Sequence, residues 1–228
     1  MSQDGTEIPL AGGRVTTGVV RVGDTVRRPQ TANSGFVARL LDHLAAQGFR
    51  GAPIALGIDD RDRDIFSYIE GAVPPDLGFH GDAVLRSAAT LIRRFHDLTA
   101  GFVTSAEVIC HNDLSPCNFV FREGVPVAII DFDAAAPGSR DHDLGYAAWL
   151  WLDIGNDEIP PVEQRRRLRL FADAYGADDH GALVAAMMHR QEALIGSGVR
   201  NGDEGLRRWA SDCLAWTRRH GTVLAAAD

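Results

Sequence analysis

The sequence predicts an α+β chain of two lobes, a small N-terminal β-sheet lobe with one helix and a larger, mainly helical C-terminal lobe. Three observations carry that prediction. β-branched, alternating segments crowd residues 1–71, apolar positions at helical spacing dominate from residue 82 onward, and two apolar strands ending in aspartates interrupt the helices between residues 108 and 131. With 228 residues, 45% of them hydrophobic and 24% charged, the chain is long enough and ordinary enough in composition to bury a real core.

The elements follow in order. Residues 10–28 read as a small antiparallel sheet: Gly12-Gly13 punctuates, Thr17 to Val22 alternates, Gly23-Asp24 turns, and Thr25-Val26-Arg27-Arg28 runs to a stop at Pro29. Phe36, Val37, Leu40, Leu41 and Leu44 recur at helical spacing, with Asn33 or Ser34 as cap and Gly48 as stop. Ile54 to Gly57 and Asp64 to Ile69 read as strands joined by the charged turn Asp59-Asp60-Arg61-Asp62. The first lobe then closes at Gly71, and Gly71-Ala72-Val73-Pro74-Pro75 has the composition of a linker into the second, residues 72–228.

In the second lobe Asp82 caps a helix that lines Val84, Leu85, Ala88, Leu91, Ile92, Phe95 and Leu98 along one face. Four more helices are expected over about 142–154, 161–175, 180–195 and 204–220. Within them the run Arg165-Arg166-Arg167-Leu168-Arg169 reads as a solvated helix face, and Trp149, Trp151, Trp209 and Trp216 read as core.

Composition removes several function classes. A formal charge of −8 argues against a nucleic-acid partner, because phosphate backbones need a basic surface. All 23 basic residues are arginines, so a Walker phosphate loop with its lysine is excluded. Cys110, Cys117 and Cys213 lack zinc-ligand spacing, and an odd count suits a disulfide framework poorly. With no basic leader and no bilayer-length apolar run, the expectation is a soluble cytoplasmic protein without a membrane partner.

Chemistry concentrates in Val108-Ile109-Cys110-His111-Asn112-Asp113-Leu114-Ser115-Pro116-Cys117-Asn118 and, one hairpin later, in Ile129-Ile130-Asp131-Phe132-Asp133. Phosphoryl transfer needs an oriented hydroxyl, neutralised phosphate charge and in-line geometry. Asp113 can accept the hydroxyl's hydrogen bond, while Asn118 and Asp131 offer the hard oxygens that Mg²⁺ prefers. His111, at the end of the strand, reads as a structural partner of the loop backbone, and the cysteines as packing residues.

These residues resemble the aminoglycoside phosphotransferase family, relatives of the protein kinases. The resemblance implies a bilobal protein-kinase-like fold and transfer of the γ-phosphoryl group of ATP or GTP to a small-molecule hydroxyl, with Asp113 catalytic and Asn118 and Asp131 as magnesium ligands. It extends to Phe66-Ser67-Tyr68-Ile69-Glu70-Gly71, similar to the family's hinge, where backbone groups of Ser67 and Ile69 would meet the nucleotide base. It also covers Asp141-His142-Asp143-Leu144-Gly145, in which Asp143 would steady the catalytic loop. The basic residue expected on the third strand is an arginine here, Arg27 first and Arg28 second, and the following helix lacks the customary glutamate, Asp42 being its only carboxylate. Ser115 stands where many protein kinases have lysine and no activation segment follows Asp133, which favours a small acceptor.

Two rival readings remain open on sequence. One is a degenerate kinase-like module that binds nucleotide without transfer, prompted by the absent lysine and glutamate. The other is a metallohydrolase built on His111, Asp113, Asp131, Asp133, Asp141, His142 and Asp143.

Overall fold

The alternating N-terminal segments fold as a five-stranded antiparallel sheet in a computed structural model that describes residues 6–10 and 18–226. Its strands are β1 (Ile8–Pro9), β2 (Val20–Val22), β3 (Thr25–Pro29), β4 (Ala55–Ile58) and β5 (Arg63–Ser67), ordered β1-β2-β3-β5-β4. Gly12-Gly13, expected to punctuate this sheet, lies outside the described residues. Helix α1 (Ser34–Ala46) buries Val37, Leu40, Leu41 and Leu44, the stripe expected from its spacing.

The C-terminal part is built on α2 (Asp82–Thr99), whose Leu85, Ala88, Ala89, Ile92 and Phe95 are fully buried. Around it stand α3 (Arg140–Trp151), α4 (Pro161–Tyr175), α5 (His180–Asn201) and α6 (Glu204–Ala225). Between α2 and α3 lie β6 (Val108–Cys110), the hairpin β7 (Phe119–Arg122) and β8 (Val125–Ile129), and β9 (Ala136–Gly138), which pairs back onto β6. The class is therefore α+β, with a small antiparallel sheet and a larger helical part. One hydrophobic cluster runs from Leu40 and Leu44 of α1 through Ile92 and Phe95 to Trp149, Phe171 and Met187, so the two parts share a core.

Gly71 shows how they are joined. Its φ of 148° suits glycine, and a Cβ there would lie 2.5 Å from the Phe121 carbonyl oxygen. The next residue, Ala72, exchanges backbone hydrogen bonds with Phe121 at 2.9 and 2.7 Å, which fixes the connecting segment to β7. Gly145 performs a similar service between α3 and α5. A Cβ there would meet the Ala186 carbonyl carbon at 2.8 Å and the Met187 nitrogen at 2.9 Å, so only glycine lets these helices approach this closely.

Three local expectations need correction. Gly81, not Asp82, is the N-cap of α2, and the Asp82 carboxylate instead receives Arg166 at 2.7 and 2.8 Å. The arginine run on α4 is not a solvated face throughout: Arg167 is buried, stacked 4.2 Å from the Phe79 ring and bonded to the His80 carbonyl at 3.0 Å. Trp149, Trp151 and Trp216 are core, whereas Trp209 is 39% exposed and stacks on Trp149.

Candidate active site

Strand β6 ends at Cys110, His111 follows it, and the chain then turns sharply through Asn112, whose φ of 67° is a left-handed conformation that asparagine tolerates. A buried carboxylate holds that turn. Asp143, in the first turn of α3, accepts the backbone N–H of His111 at 2.7 Å and that of Asn112 at 2.8 Å. The fully buried His96 sits 3.0 Å from the same carboxylate oxygen that accepts the His111 N–H and 2.7 Å from the Tyr175 hydroxyl. Burial pushes the Asp143 carboxyl upward, but hydrogen bonding and charge from His96 and His111 outweigh it and hold the group below the ordinary aspartate range. His111 faces the loop as well, its Nδ1 accepting from the Asp113 N–H at 3.3 Å and its Nε2 donating to the Ile130 carbonyl at 3.0 Å.

Asp113 follows on the held loop. Asn118, closing a short 3₁₀ turn, donates its side-chain amide to Asp113 Oδ2 at 2.7 Å and to the Asp113 carbonyl at 2.8 Å. Both of these bonds use the amide nitrogen of Asn118, not its amide oxygen. The Ile130 N–H bonds the Asn118 carbonyl at 2.9 Å, so the two motif segments are fastened side by side. Asp131, two residues beyond the end of β8, then takes a left-handed φ of 67°.

Asn118 and Asp131 line a cavity of about 340 Å³ between the sheet and the helical part, together with Val26, Arg28, Ser67, Ile69 and Val120. The Ser67 N–H is bonded to the Ile54 carbonyl at 2.9 Å, so Ser67 is fastened into the sheet at the cavity's edge. The structure therefore brings Ser67, Ile69, Asn118 and Asp131 to one cavity, with Asp113 bonded to Asn118 beside it. It does not bring Arg27. Adjacent residues on a strand face opposite ways, and the register of β3 on β5 turns Arg27 toward Asp59 at 3.7 Å and the Thr25 hydroxyl at 2.6 Å. Arg28 takes the cavity side, bonded to Asp131 Oδ1 at 3.0 Å and also paired with Asp133. Asp133 is thereby placed as well. Burial, helped by the nearby Asp131, pushes its carboxyl above the ordinary range against the pull of Arg28.

Residues that sequence reading passed over complete the site. Asn33, read only as a helix cap, makes no side-chain cap bond and donates its amide to the Asp133 and Ala135 carbonyls at 2.8 and 3.0 Å. Tyr146 donates its hydroxyl to Asp113 Oδ1 at 3.0 Å. Its position three residues beyond Asp143 on α3 was a legible signal, since such spacing shares a helix face. Burial, followed by the charge of Asp113, drives the Tyr146 hydroxyl pKa upward, so it stays a proton donor. Arg190 lies 4.6 Å from the Tyr146 ring and bonds the Asn112 carbonyl at 2.8 Å. Cys110 is buried, which pushes its thiol up to about 12 and leaves it unsuited to nucleophilic work.

Residues 98–183 match the model of the phosphotransferase enzyme family, APH, a span that contains the catalytic-loop candidates and α3. The trifolitoxin immunity protein of Rhizobium leguminosarum bv. trifolii is 35% identical over 260 aligned positions, covering 97% of this chain and 98% of that protein. The chain belongs to the APH phosphotransferase family. Among solved structures, this APH-family chain resembles a microcompartment-associated aminopropanol kinase with a TM-score of 0.66 and 15% identity, covering 99% of this chain and 95% of that one. It resembles the GDP complex of wild-type aminoglycoside 2'-phosphotransferase-IIIa with a TM-score of 0.60 and 14% identity, covering 95% and 93%. These likenesses establish the kinase-like fold of the APH-family protein.

Proposed function

We propose that this protein transfers the γ-phosphoryl group of ATP or GTP to a hydroxyl of a small molecule, with Mg²⁺ as cofactor. One arrangement carries the reading: the interlobe cavity gathers Arg28, the Ser67–Ile69 edge, Asn118 and Asp131 beside an Asp113 whose loop is held from below. The donor set suits the metal, since Asn118 and Asp131 offer one amide and one carboxylate oxygen, and Mg²⁺ prefers few protein ligands plus phosphate oxygens. A bound metal–nucleotide pair would supply the electrophilic phosphorus and neutralise the charge around it.

The chain's own residues do the rest. Asp113, its Oδ2 fixed by Asn118, accepts the acceptor hydroxyl's proton as that oxygen bonds the γ-phosphorus and the bond from phosphorus to the β–γ bridging oxygen breaks, releasing nucleoside diphosphate. Arg28 exchanges part of its pairing with Asp131 for the nucleotide's phosphates, which a guanidinium can grip through two N–H groups. Backbone groups of Ser67 and Ile69, both of which line the cavity, meet the base. Residues 1–71 form the nucleotide lobe and residues 72–228 the catalytic and acceptor lobe. The GDP bound by the aminoglycoside phosphotransferase neighbour supports a nucleotide here. The toxin immunity named for the 35% identical relative supports a toxic compound as acceptor.

The metallohydrolase alternative loses its ligands in the fold. Asp143 and His111 are committed to the loop backbone, and among the described residues no group of three or more His, Cys, Asp or Glu is placed to hold a metal ion. The direct test is ADP or GDP release from MgATP or MgGTP across a panel of hydroxylated antibiotics and amino alcohols. We expect one acceptor class to stimulate release and EDTA to abolish it. Nucleotide binding without release for any acceptor would favour the non-transferring module.

The arginine assignment has its own test. Arg28→Met should weaken nucleotide binding by about tenfold or more, the loss of a charge-assisted hydrogen bond, while Arg27→Met leaves it within about twofold. Calorimetric titration of both variants distinguishes the two faces of β3. Equal losses would mean that Arg28 does not reach phosphate.

A further inference from the structure

Asp113 has two carboxylate oxygens, and the fold treats them differently. Oδ2 is turned to Asn118 at 2.7 Å and thus toward the metal side of the site. Oδ1 faces away from it and already accepts a hydroxyl, that of Tyr146 at 3.0 Å. An O–H group on Oδ1 is what a phosphate acceptor would itself present to the base.

Several contacts keep Tyr146 there. Gly145 brings α5 against α3 at Ala186, and one helical turn further along α5 Arg190 reaches back over the Tyr146 ring at 4.6 Å. Arg190 is itself anchored, through the Asn112 carbonyl at 2.8 Å and through His142. The far edge of the ring meets Trp149, with ring centroids 6.0 Å apart at 87°.

Building on the phosphotransferase reading, we propose that Tyr146 is the residue by which this site refuses water, its hydroxyl standing on the acceptor-facing oxygen of Asp113 until a bound acceptor supplies its own. Water is the commonest competing hydroxyl in any kinase site, and at Oδ1 it would be activated as a true acceptor is. The proton would pass to Asp113, the water oxygen would form a bond to the γ-phosphorus, and the bond from that phosphorus to the β–γ bridging oxygen would break, giving nucleoside diphosphate and inorganic phosphate. A water molecule brings no further contacts with which to displace the phenol. An acceptor held by the rest of its structure does, so specificity for it arises as a difference in affinity at one oxygen. The upward shift of the Tyr146 pKa agrees with a donor that is not consumed as a nucleophile.

Tyr146→Phe keeps the ring, its stacking under Arg190 and its edge on Trp149, and removes only the hydroxyl. Incubated with MgATP or MgGTP and no acceptor, this variant should release diphosphate about tenfold faster than the parent chain, the worth of one ordinary hydrogen bond. A crystal structure of the variant should show an ordered water within hydrogen-bond distance of Asp113 Oδ1. Release that is unchanged or slower, or an Oδ1 that stays dry, overturns the proposal. The double variant Tyr146→Phe with Asp113→Asn separates this idea from its foundation. Return to the parent rate supports both, whereas fast release persisting without the carboxylate would overturn both the role of Asp113 as base and the gate built on it. A dry Oδ1 in a chain that still phosphorylates an acceptor removes only the gate.

Discussion

Asp113→Asn is expected to slow phosphoryl transfer by about 10²–10⁴-fold, equivalent to about 3–5 kcal/mol in the barrier, while nucleotide affinity stays within about twofold. The substitution is nearly isosteric. Its amide oxygen can still accept from Asn118 or Tyr146, so the loop keeps its shape, and what is lost is the capacity to take a proton from the acceptor. Initial-rate kinetics at saturating acceptor, with calorimetry for the nucleotide, measure the two quantities separately. Undiminished turnover would remove Asp113 from the mechanism, and a parallel loss of nucleotide binding would point to a collapsed loop instead.

Asp143→Ala should produce the largest loss of stability among single changes near the site, about 3–5 kcal/mol, because it strands buried donors from two chain segments. The backbone N–H groups of His111 and Asn112 and the side chain of His96 all converge on this carboxylate in a fully buried position. For a domain stabilised by about 5–15 kcal/mol, that is a substantial fraction. Chemical denaturation reads it directly. Asp143→Asn should recover only part, since an amide offers one accepting oxygen where the carboxylate offers two. The same carboxyl makes stability depend on acid. Its folded pKa lies below the ordinary aspartate value of 3.8, so its contribution is present in full above that value and fades as pH falls through the lower, folded one. The denaturation midpoint of the parent chain should therefore drop below about pH 4 more steeply than that of Asp143→Asn. Superimposable acid profiles would show that Asp143 contributes no pH-linked stability.

Periodicity alone made the architecture legible: the apolar spacing of Val37, Leu40, Leu41 and Leu44 and of Leu85, Ala88, Ile92 and Phe95 became the buried faces of α1 and α2. The motif segments were legible because their chemistry is local, with Asp113 and Asn118 five residues apart on one loop. What the sequence could not disclose depends on register and on helix contact. Arg27 and Arg28 differ only in which face of β3 they occupy, and that is decided by pairing with β5. Ala136-Pro137-Gly138 has no strand propensity of its own and becomes β9 only because β6 offers an edge. Arg190 lies 77 residues from Asp113 in sequence, and its reach over Tyr146 exists only because Gly145 lets two helices touch. The buried Arg167 looked like surface for the same reason: its partners, Phe79 and the His80 carbonyl, come from a distant loop.

The contact of Asn33 with the Asp133 and Ala135 carbonyls has a consequence for how the small sheet answers its surroundings. A clasp made from an amide and two carbonyls has no net charge, so ionic strength gives no handle on it. Concentrated salt screens the charged pairs of Arg28 with Asp131 and Asp133 that join the same two segments, while the amide contact keeps the start of α1 seated on the loop beyond Asp131.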